Sequence, residues 1–395
     1  MSSSFNVDYQ KKDLPKRIQT IGLTLFVIGL ITAVAGYAVD ATRSSFSNII
    51  ILMFLISVGL GALFLVALEY VAGAVWSVPF RRIAEFFAAV LFIAFIVSLP
   101  LLFNLDKIFV WMHPQVLKEH KALAGKAPYL NTNFFIIRVI AFFFIWLSFY
   151  YFIIKNSSKQ DSTKSQSITT VNTKISAIFM PVFAFTISFS AIDWLMSLEP
   201  NWFSTIFGVY YFSGTVLAAL AVVTITVVLL DKHGFFVKKL NPDQYYSFGA
   251  LLFAFTNFWA YIAFSQYMLI WYANLPEETA WFITRWEGSW KFISIGLILF
   301  QFVIPYIGLL SQPSKMDPKR LLRMASIILF AHFYDLYWMV MPEFNKGGIL
   351  FGWIEIGFTL LAAGIIILVF VSKVRKNNLI PVGDPKLQRG LEFKL

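Results

Sequence analysis

The 395-residue sequence contains no cysteine and only four histidines. Without cysteine the chain cannot by itself form a disulfide, a thiolate-held zinc site or a conventional iron–sulfur cluster. Only His332 is predicted at membrane depth, whereas a transmembrane b-type haem held by two histidines needs a second buried one, so the sequence argues against that haem. We predict no metal site and no covalently bound or metal-ligated cofactor. Any electron transfer would use a diffusible quinone, such as menaquinone or its quinol, or carriers on partner chains.

Charged residues are also scarce, at 13% of the sequence, while 58% of residues are apolar or aromatic. This composition excludes a water-soluble enzyme, because ten stretches are apolar over the roughly 20 residues that a helix needs to span a bilayer. Runs such as residues 49–66 are continuously apolar rather than alternating, which favours helices over strands. We therefore predict an all-α polytopic membrane protein with ten helices. The predicted segments are residues 18–39, 47–76, 82–103, 133–155, 174–196, 204–231, 246–272, 288–311, 321–341 and 349–372.

Basic residues are unevenly divided between the two sets of loops. Most Lys and Arg lie in the amino tail, in the alternate loops that include Arg81 and Arg82, and in the carboxyl tail. Because basic loops resist translocation, both termini are predicted to be cytoplasmic. Residues 1–17 then form a cytoplasmic tail before an anchoring helix, not a cleaved signal peptide. The net charge of +11 is explained by these basic segments, which lie next to membrane lipids in this topology. It requires no nucleic-acid partner.

The predicted membrane domain covers residues 18–372, and residues 373–395 form a cytoplasmic carboxyl tail. Only two extramembrane segments between helices are sizeable. The first is an outer loop at about residues 104–132, which includes His120 and has room for a short surface helix. The second, at about residues 156–173, is rich in Ser, Thr and Lys and is predicted to be a flexible cytoplasmic linker.

Ionisable side chains within the predicted helices are the main functional candidates, because each is costly in lipid unless it is paired or faces water. Asp193 ends a narrow polar stripe on the fifth helix. On the ninth helix, His332 and Asp335 lie on adjacent turns of one face, where the carboxylate can fix the imidazole tautomer. Glu69 lies in the inner third of the second helix. We predict these four residues as proton-transfer groups, with structural hydrogen bonding as the alternative for each.

A second set of residues in the outer half defines a candidate quinone or charge-pair region. Arg138 lies about two turns into the fourth helix, where it can neutralise Asp193, Asp335 or Glu355, or extend to the membrane surface. Trp194 and Glu355 are assigned to the same region. This is a prediction from membrane depth, since the sequence does not fix the rotation of the helices.

Other polar residues have simpler explanations. Glu85 follows Arg81 by four residues and Arg82 by three, which favours a local ion pair. Packing hydrogen bonds account for Asn257 and Gln266 on the seventh helix. The outer candidates come from helices four, five, nine and ten, and the inner carboxylates from helices two and three. This distribution suggests two half-paths for protons, with no connection between them established.

Two segments resemble a known family. Residues 190–214 read SAIDWLMSLEPNWFSTIFGVYYFSG, and residues 255–285 read FTNFWAYIAFSQYMLIWYANLPEETAWFITR. Both look like the membrane subunits of bacterial alternative complex III, a quinol:cytochrome c oxidoreductase. They are most similar to the ActF type, which is related to the NrfD and polysulfide-reductase membrane subunits. The resemblance covers residues 15–375.

The resemblance implies a fold of two four-helix bundles, helices two to five and six to nine, flanked by helices one and ten. It implies an iron–sulfur protein and c-type haem subunits on the outer face, a sister membrane subunit of the same fold, and a bacterial inner membrane. In that family quinol oxidation is associated mainly with the sister subunit, which leaves proton conduction, quinol interaction or scaffolding for this chain. The implied site residues are Asp193, His332 and Asp335.

The sequence thus favours a cofactor-free membrane subunit of a respiratory quinol:cytochrome c oxidoreductase complex, not catalytic by itself. Two alternatives remain open. A proton-coupled secondary transporter would also contain intramembrane carboxylates, but broken helices at corresponding places in both halves are expected there. A purely structural anchor for peripheral redox subunits would leave the buried charges without a role.

Overall fold

The computed structural model describes residue 9, residues 11–113 and residues 121–395. Within these residues the chain is all-α and has no strand. Ten helices in this described part of the chain are long and apolar enough to cross a membrane, so the prediction of an all-α, ten-helix membrane protein is confirmed. They are α1 (Lys16–Val39), α2 (Ala41–Ala72), α3 (Val78–Leu102), α4 (Thr132–Thr163), α5 (Gln166–Leu198), α6 (Phe207–Lys232), α7 (Pro242–Ala273), α8 (Trp290–Leu309), α9 (Pro318–Phe344) and α10 (Trp353–Lys376).

The helices form two closed four-helix bundles. In the first bundle α2 packs on α3 and α5, and α4 closes the ring between α3 and α5. In the second bundle α6 packs on α7 and α9, and α8 closes the ring between α7 and α9. The bundles meet where α2 contacts α6 and α9, and where α5 contacts α6. The division into helices two to five and six to nine is therefore present.

The flanking helices α1 and α10 pack on each other along their length, and both contact α2. Glycines let their backbones approach closely. A Cβ atom on Gly29 would lie 2.3 Å from the backbone nitrogen of Leu361, and one on Gly364 would lie 2.4 Å from that of Phe26. Small residues at such crossings permit the van der Waals packing that holds helices together in lipid. The pair covers one side of the first bundle.

The segment at residues 156–173 is helical, so the prediction of a flexible linker is wrong. α4 continues to Thr163 and α5 begins at Gln166, which leaves two residues between the helices. The polar side chains join the two helices: Gln160 Nε2 donates to Thr169 Oγ1 at 2.7 Å, and Asn156 Nδ2 donates to Asn172 Oδ1 at 2.9 Å. The polar side chains of this segment therefore hold the two helices of a hairpin together.

The described part of the predicted outer loop contacts the end of α5 and the residues that follow it. Short helical segments lie at Leu105–Ile108, Val110–Met112 and Lys121–Ala124. The buried Trp111 donates from Nε1 to the carbonyl of Ser197 at 3.1 Å, and Lys126 Nζ donates to the carbonyl of Pro200 at 2.6 Å. Residues 114–120, which include Lys118, Glu119 and His120 of the predicted loop, lie outside the described residues.

The carboxyl tail after α10 folds back across one end of the bundles. Lys11, just before α1, lies at the same end because its Nζ donates to the carbonyl of Arg375, and we call this end the terminal end. Residues 377–395 bury Leu379, Ile380 and Leu387 there. Gln244 Nε2, at the start of α7, donates to the carbonyl of Gly390 at 2.9 Å. The tail is thus part of the folded core.

Candidate functional site

Asp335 lies in the second bundle with a side chain that is fully buried between α6, α7 and α9. Its Oδ1 accepts a hydrogen bond from the Tyr210 hydroxyl at 2.5 Å, and its Oδ2 accepts one from Trp259 Nε1 at 3.3 Å. Among the described residues it has no ion-pair partner. A buried carboxyl group without a cation is the kind of group that takes part in proton relays within membranes. We call these three residues the Asp335 group.

The predicted pairing of His332 with Asp335 is absent. His332 Nε2 instead shares a hydrogen bond with Ser57 Oγ at 2.9 Å, across the interface with the first bundle. Its Nδ1 has no partner among the described residues and faces Gly214, where a Cβ atom would lie 2.7 Å away. The spacing of three residues places the two side chains on one face of α9. Each of them, however, is hydrogen-bonded to residues of other helices.

Ser57 extends the polar contacts of His332 into the seam between the bundles. Its Oγ donates to the Tyr211 hydroxyl at 2.9 Å and lies 3.2 Å from Thr215 Oγ1. The Tyr211 hydroxyl donates to the carbonyl of Met53 at 2.7 Å. The two adjacent tyrosines of α6 therefore serve different groups, because Tyr210 contacts Asp335 and Tyr211 contacts the His332 chain.

Asp193 belongs to the first bundle and is paired with Arg138. Arg138 donates from Nε to Asp193 Oδ2 at 2.8 Å and from Nη2 to Oδ1 at 2.9 Å. Of the three carboxylates that the sequence offered to Arg138, the structure selects Asp193. Bidentate arginine–carboxylate pairs are strong and geometrically specific, so both charges are satisfied where they are buried.

Tyr129, just before α4, completes this ion pair. Its hydroxyl donates to Asp193 Oδ1 at 2.8 Å, and its carbonyl accepts from Arg138 Nη1 at 3.0 Å. The Arg138 guanidinium also lies 3.9 Å from the centroid of the Tyr129 ring. Burial and the neighbouring carboxylate raise the pKa of the Tyr129 phenol above its usual value of 10.0. The phenol therefore acts as a fixed hydrogen-bond donor.

The other residues of the candidate quinone region are already engaged elsewhere. Glu355 accepts from Arg43 Nε at 2.8 Å and Nη2 at 2.7 Å, and it caps α10 by accepting from the Gly352 amide at 2.7 Å. Trp194 is buried among aromatic rings, in an edge contact with Phe135. Arg138, Trp194 and Glu355 therefore do not meet around one site, because Glu355 lies at α10 with Arg43.

Glu69 lies in a buried ion cluster at the terminal end. Arg81 Nη1 donates to Glu69 Oε1 at 2.9 Å, and Arg81 also lies 3.3 Å from Glu85 Oε1 and 2.7 Å from Asp384 Oδ2 of the carboxyl tail. Arg82 contacts Glu85 at 2.8 Å, which confirms the local ion pair predicted there. We use the name Arg81 cluster for the set made up of Glu69, Arg81, Arg82, Glu85, Asp161 and Asp384.

The predicted outer half-path separates into three groups. Asp193 is in the first bundle, Asp335 is in the second, and Glu355 pairs with Arg43 beside α2 and α10. The inner carboxylates Glu69 and Glu85 share Arg81 at the opposite end. The sequence predicts how deep each side chain lies along its helix. It does not predict how each helix is rotated about its axis, and this rotation decides which bundle a side chain faces.

Several residues of these groups were missed by the sequence analysis. Tyr210, Trp259 and Tyr129 supply donors to buried carboxylates, but the sequence contains 16 Tyr and 12 Trp and nothing singles these out. Asp384 lies in the predicted cytoplasmic carboxyl tail, where the sequence analysis assigned no contact to the helices. The helix Pro276–Trp286 between α7 and α8 could have been predicted from the sequence. It has Pro at its first position and two acidic residues in its first turn, which is typical of a helix start.

Comparison with known proteins adds no assignment: no family model matches the chain, and no curated protein matches its sequence. In the described part of the chain, no three His, Asp or Glu side chains are grouped so that they could hold a metal ion. The functional argument therefore depends on the groups described above.

Proposed function

We propose that this multi-pass membrane protein is a subunit of a quinol:cytochrome c oxidoreductase complex of the alternative complex III type, and that it transfers protons through the Asp335 group. One observation carries the proposal. The two segments that resemble the family supply the two donors to Asp335, since Tyr210 lies in residues 190–214 and Trp259 lies in residues 255–285. The two segments therefore meet at the Asp335 group.

The hydrogen bond between Tyr210 and Asp335 gives a simple proton step. The Tyr210 oxygen would accept a proton from a hydroxyl group of quinol as its own hydroxyl proton passes to the Asp335 carboxylate. Trp259 Nε1 holds the second carboxylate oxygen and fixes its orientation. General acid–base transfer of this kind requires the two groups to be within hydrogen-bond reach, and the two oxygens lie 2.5 Å apart.

The partners in this proposal are those of the family: an iron–sulfur protein, c-type haem subunits and a sister membrane subunit. The opposite end of the bundles would face the haem and iron–sulfur subunits outside a bacterial inner membrane, with both termini in the cytoplasm. Electrons from quinol would leave through those subunits. Their oxidised haem or iron–sulfur centres are the electron acceptors.

The helix geometry favours this proposal over an inverted-repeat transporter. α8 contains a π-helical segment at Ile298–Val303, which is an irregularity in the third helix of the second bundle. The third helix of the first bundle, α4, is continuous from Thr132 to Thr163. Broken helices at matching positions of both halves, which such transporters use for binding, are therefore not present in this pair.

The proposal is tested by an optical redox spectrum of the complex that copurifies with this chain from native membranes in mild detergent. Haem c bands that appear when a quinol is added are expected. A preparation without a chromophore would contradict the assignment to a redox complex and would favour the transporter alternative.

The proton role is tested on the same preparation with Asp335→Asn. We expect quinol-dependent haem reduction to slow by about tenfold or more, since positioned proton transfer contributes at least that much. Asp13→Asn, the same change at an exposed position of the terminal end, away from the proposed haem and iron–sulfur subunits, is the matched control and should leave the rate unchanged. Equal rates in both variants would contradict a role for Asp335 while leaving the assignment to the complex intact.

A further inference from the structure

A cavity of about 600 Å³ lies in the second bundle beside the Asp335 group. Its walls are formed by α6, α7, α8, α9 and the helix Pro276–Trp286. Its volume is in the range of small-molecule sites in proteins, about 300–1,000 Å³. Aromatic rings dominate the lining, contributed by Tyr210, Trp259, Tyr261, Phe264, Tyr267, Phe282, Trp286, Phe302 and Trp338.

The cavity also has a buried polar group without a partner. Gln266 is 4% exposed and lines the cavity, and its Oε1 has no hydrogen-bond partner among the described residues. This contradicts the expectation that packing hydrogen bonds explain Gln266. An unsatisfied buried amide oxygen is destabilising, and a bound molecule with a hydroxyl or N–H donor would supply the missing hydrogen bond.

Among the described residues, the one cationic side chain that lines the cavity is fully occupied by protein groups. Arg285 donates to the carbonyls of Trp338, Trp281 and Met339, and it pairs with Glu343 at 3.0 Å. It is therefore not free to bind an anion. The lining offers hydrogen-bond acceptors and ring faces, which fit an uncharged aromatic ligand that carries hydroxyl groups.

The rim of the cavity opens on the side of the bundle that faces lipid. Tyr261 and Phe264 of α7 and Ile298 of α8 line the cavity and are each more than half exposed. The π-helical segment of α8 begins at Ile298, and Phe302 within it also lines the cavity. π-helical turns occur often at functional sites. A membrane-soluble molecule can enter between α7 and α8 without passing through water.

We propose that this cavity binds a hydroquinone-type amphiphile, with its aromatic ring among the tryptophans and tyrosines and one hydroxyl donating to Gln266 Oε1. Its apolar tail would leave between α7 and α8. This inference rests on the proposed function and gives the place where quinol meets the chain, near Tyr210 and away from Arg138, Trp194 and Glu355. An acyl chain of a phospholipid would leave Gln266 unpartnered and make little use of the ring faces.

The test is photolabelling of the purified complex with an azido-naphthoquinone, reduced to its quinol before illumination, followed by peptide mapping. Label is expected on residues 257–267 of α7 and 294–302 of α8. Ala263→Phe places a bulky ring in the cavity wall and should lower this labelling by at least about tenfold. Ala254→Phe makes the same change on an exposed face of the same helix, outside the cavity lining, and should leave the labelling unchanged.

A second variant, Gln266→Leu, removes the amide while preserving much of the side-chain volume. It should reduce labelling while the complex remains assembled, because the ligand hydroxyl then has no acceptor. Label on other helices, labelling that Ala263→Phe does not change, or a phospholipid as the only molecule released from the cavity would overturn the inference. The haem spectrum of each variant is recorded separately, so a failure of this site is distinguishable from a failure of the proposed function.

Discussion

Asp384 of the carboxyl tail forms a buried ion pair with Arg81 at the start of α3, with 2.7 Å between Asp384 Oδ2 and Arg81 Nη2. The same guanidinium contacts Glu69 and Glu85. One arginine therefore joins the end of α2, the start of α3 and a segment that follows the last membrane helix. The tail is held by charge at the place where α2 turns into α3.

We expect Arg81→Gln to destabilise the protein severely. The change leaves three carboxylates buried with one cation fewer, and removal of one member of a buried ion pair costs about 3–5 kcal/mol. Thermal unfolding in detergent, followed by tryptophan fluorescence, would measure the loss. Asp384→Asn should cost less, because Arg81 keeps two carboxylate partners. Equal and small effects of both variants would show that the cluster contributes little to stability.

The tail also makes a close backbone contact that can be tested by a single methyl group. A Cβ atom on Gly383 would lie 1.8 Å from the carbonyl oxygen of Gln160 at the end of α4. Gly383→Ala should therefore displace the tail and cost about 1–3 kcal/mol, as overpacking does elsewhere. Limited trypsin digestion at the turn between α4 and α5 would report the displacement.

Gly347→Ala is the control for this contact. Gly347 is exposed, and its nearest neighbour would be 3.5 Å from an added Cβ, which is an ordinary contact. Its unfolding temperature and digestion pattern should match those of the unmodified protein. If Gly383→Ala behaved in the same way, the tail would not be seated against α4 as described.

The sequence predicted the helices well because their signal is local. Each apolar run is long enough to span a bilayer by itself, and Glu85 meets Arg81 and Arg82 through spacing within one helix. Partners that are distant in the chain were not predictable in the same way. Nothing near Asp384 indicates a contact with Arg81, and the contact between Tyr210 and Asp335 depends on how α6 and α9 are rotated.

The polar segment at residues 156–173 shows why composition alone misled the prediction. Ser, Thr, Asn and Gln are typical of linkers, and the sequence does not show whether they face water or each other. In the structure Gln160 and Asn156 pair with Thr169 and Asn172 across a helical hairpin. These polar side chains therefore hydrogen-bond to one another between two helices that extend beyond the apolar part of the bundle.

Arg138 and Asp193 should behave as a coupled pair. Arg138→Gln or Asp193→Asn alone leaves one buried charge without its partner, at about 3–5 kcal/mol, whereas the double variant leaves none. The double variant should therefore be more stable than the sum of the two single changes predicts. A double-mutant cycle on the unfolding free energy measures this coupling, and additive effects would contradict the bidentate pair.

Tyr210→Phe and Tyr211→Phe separate the two polar chains of α6. Both tyrosines are buried and each change removes one hydroxyl, so their costs in stability should be similar, about 1 kcal/mol. Only Tyr210 contacts Asp335, and Tyr211 instead contacts Ser57 and, through it, His332. If protons pass through the Asp335 group, Tyr210→Phe should slow quinol-dependent haem reduction while Tyr211→Phe leaves it near normal. The reverse pattern would place the proton path along Ser57 and His332, and would reassign the role that Asp335 has in the proposed function.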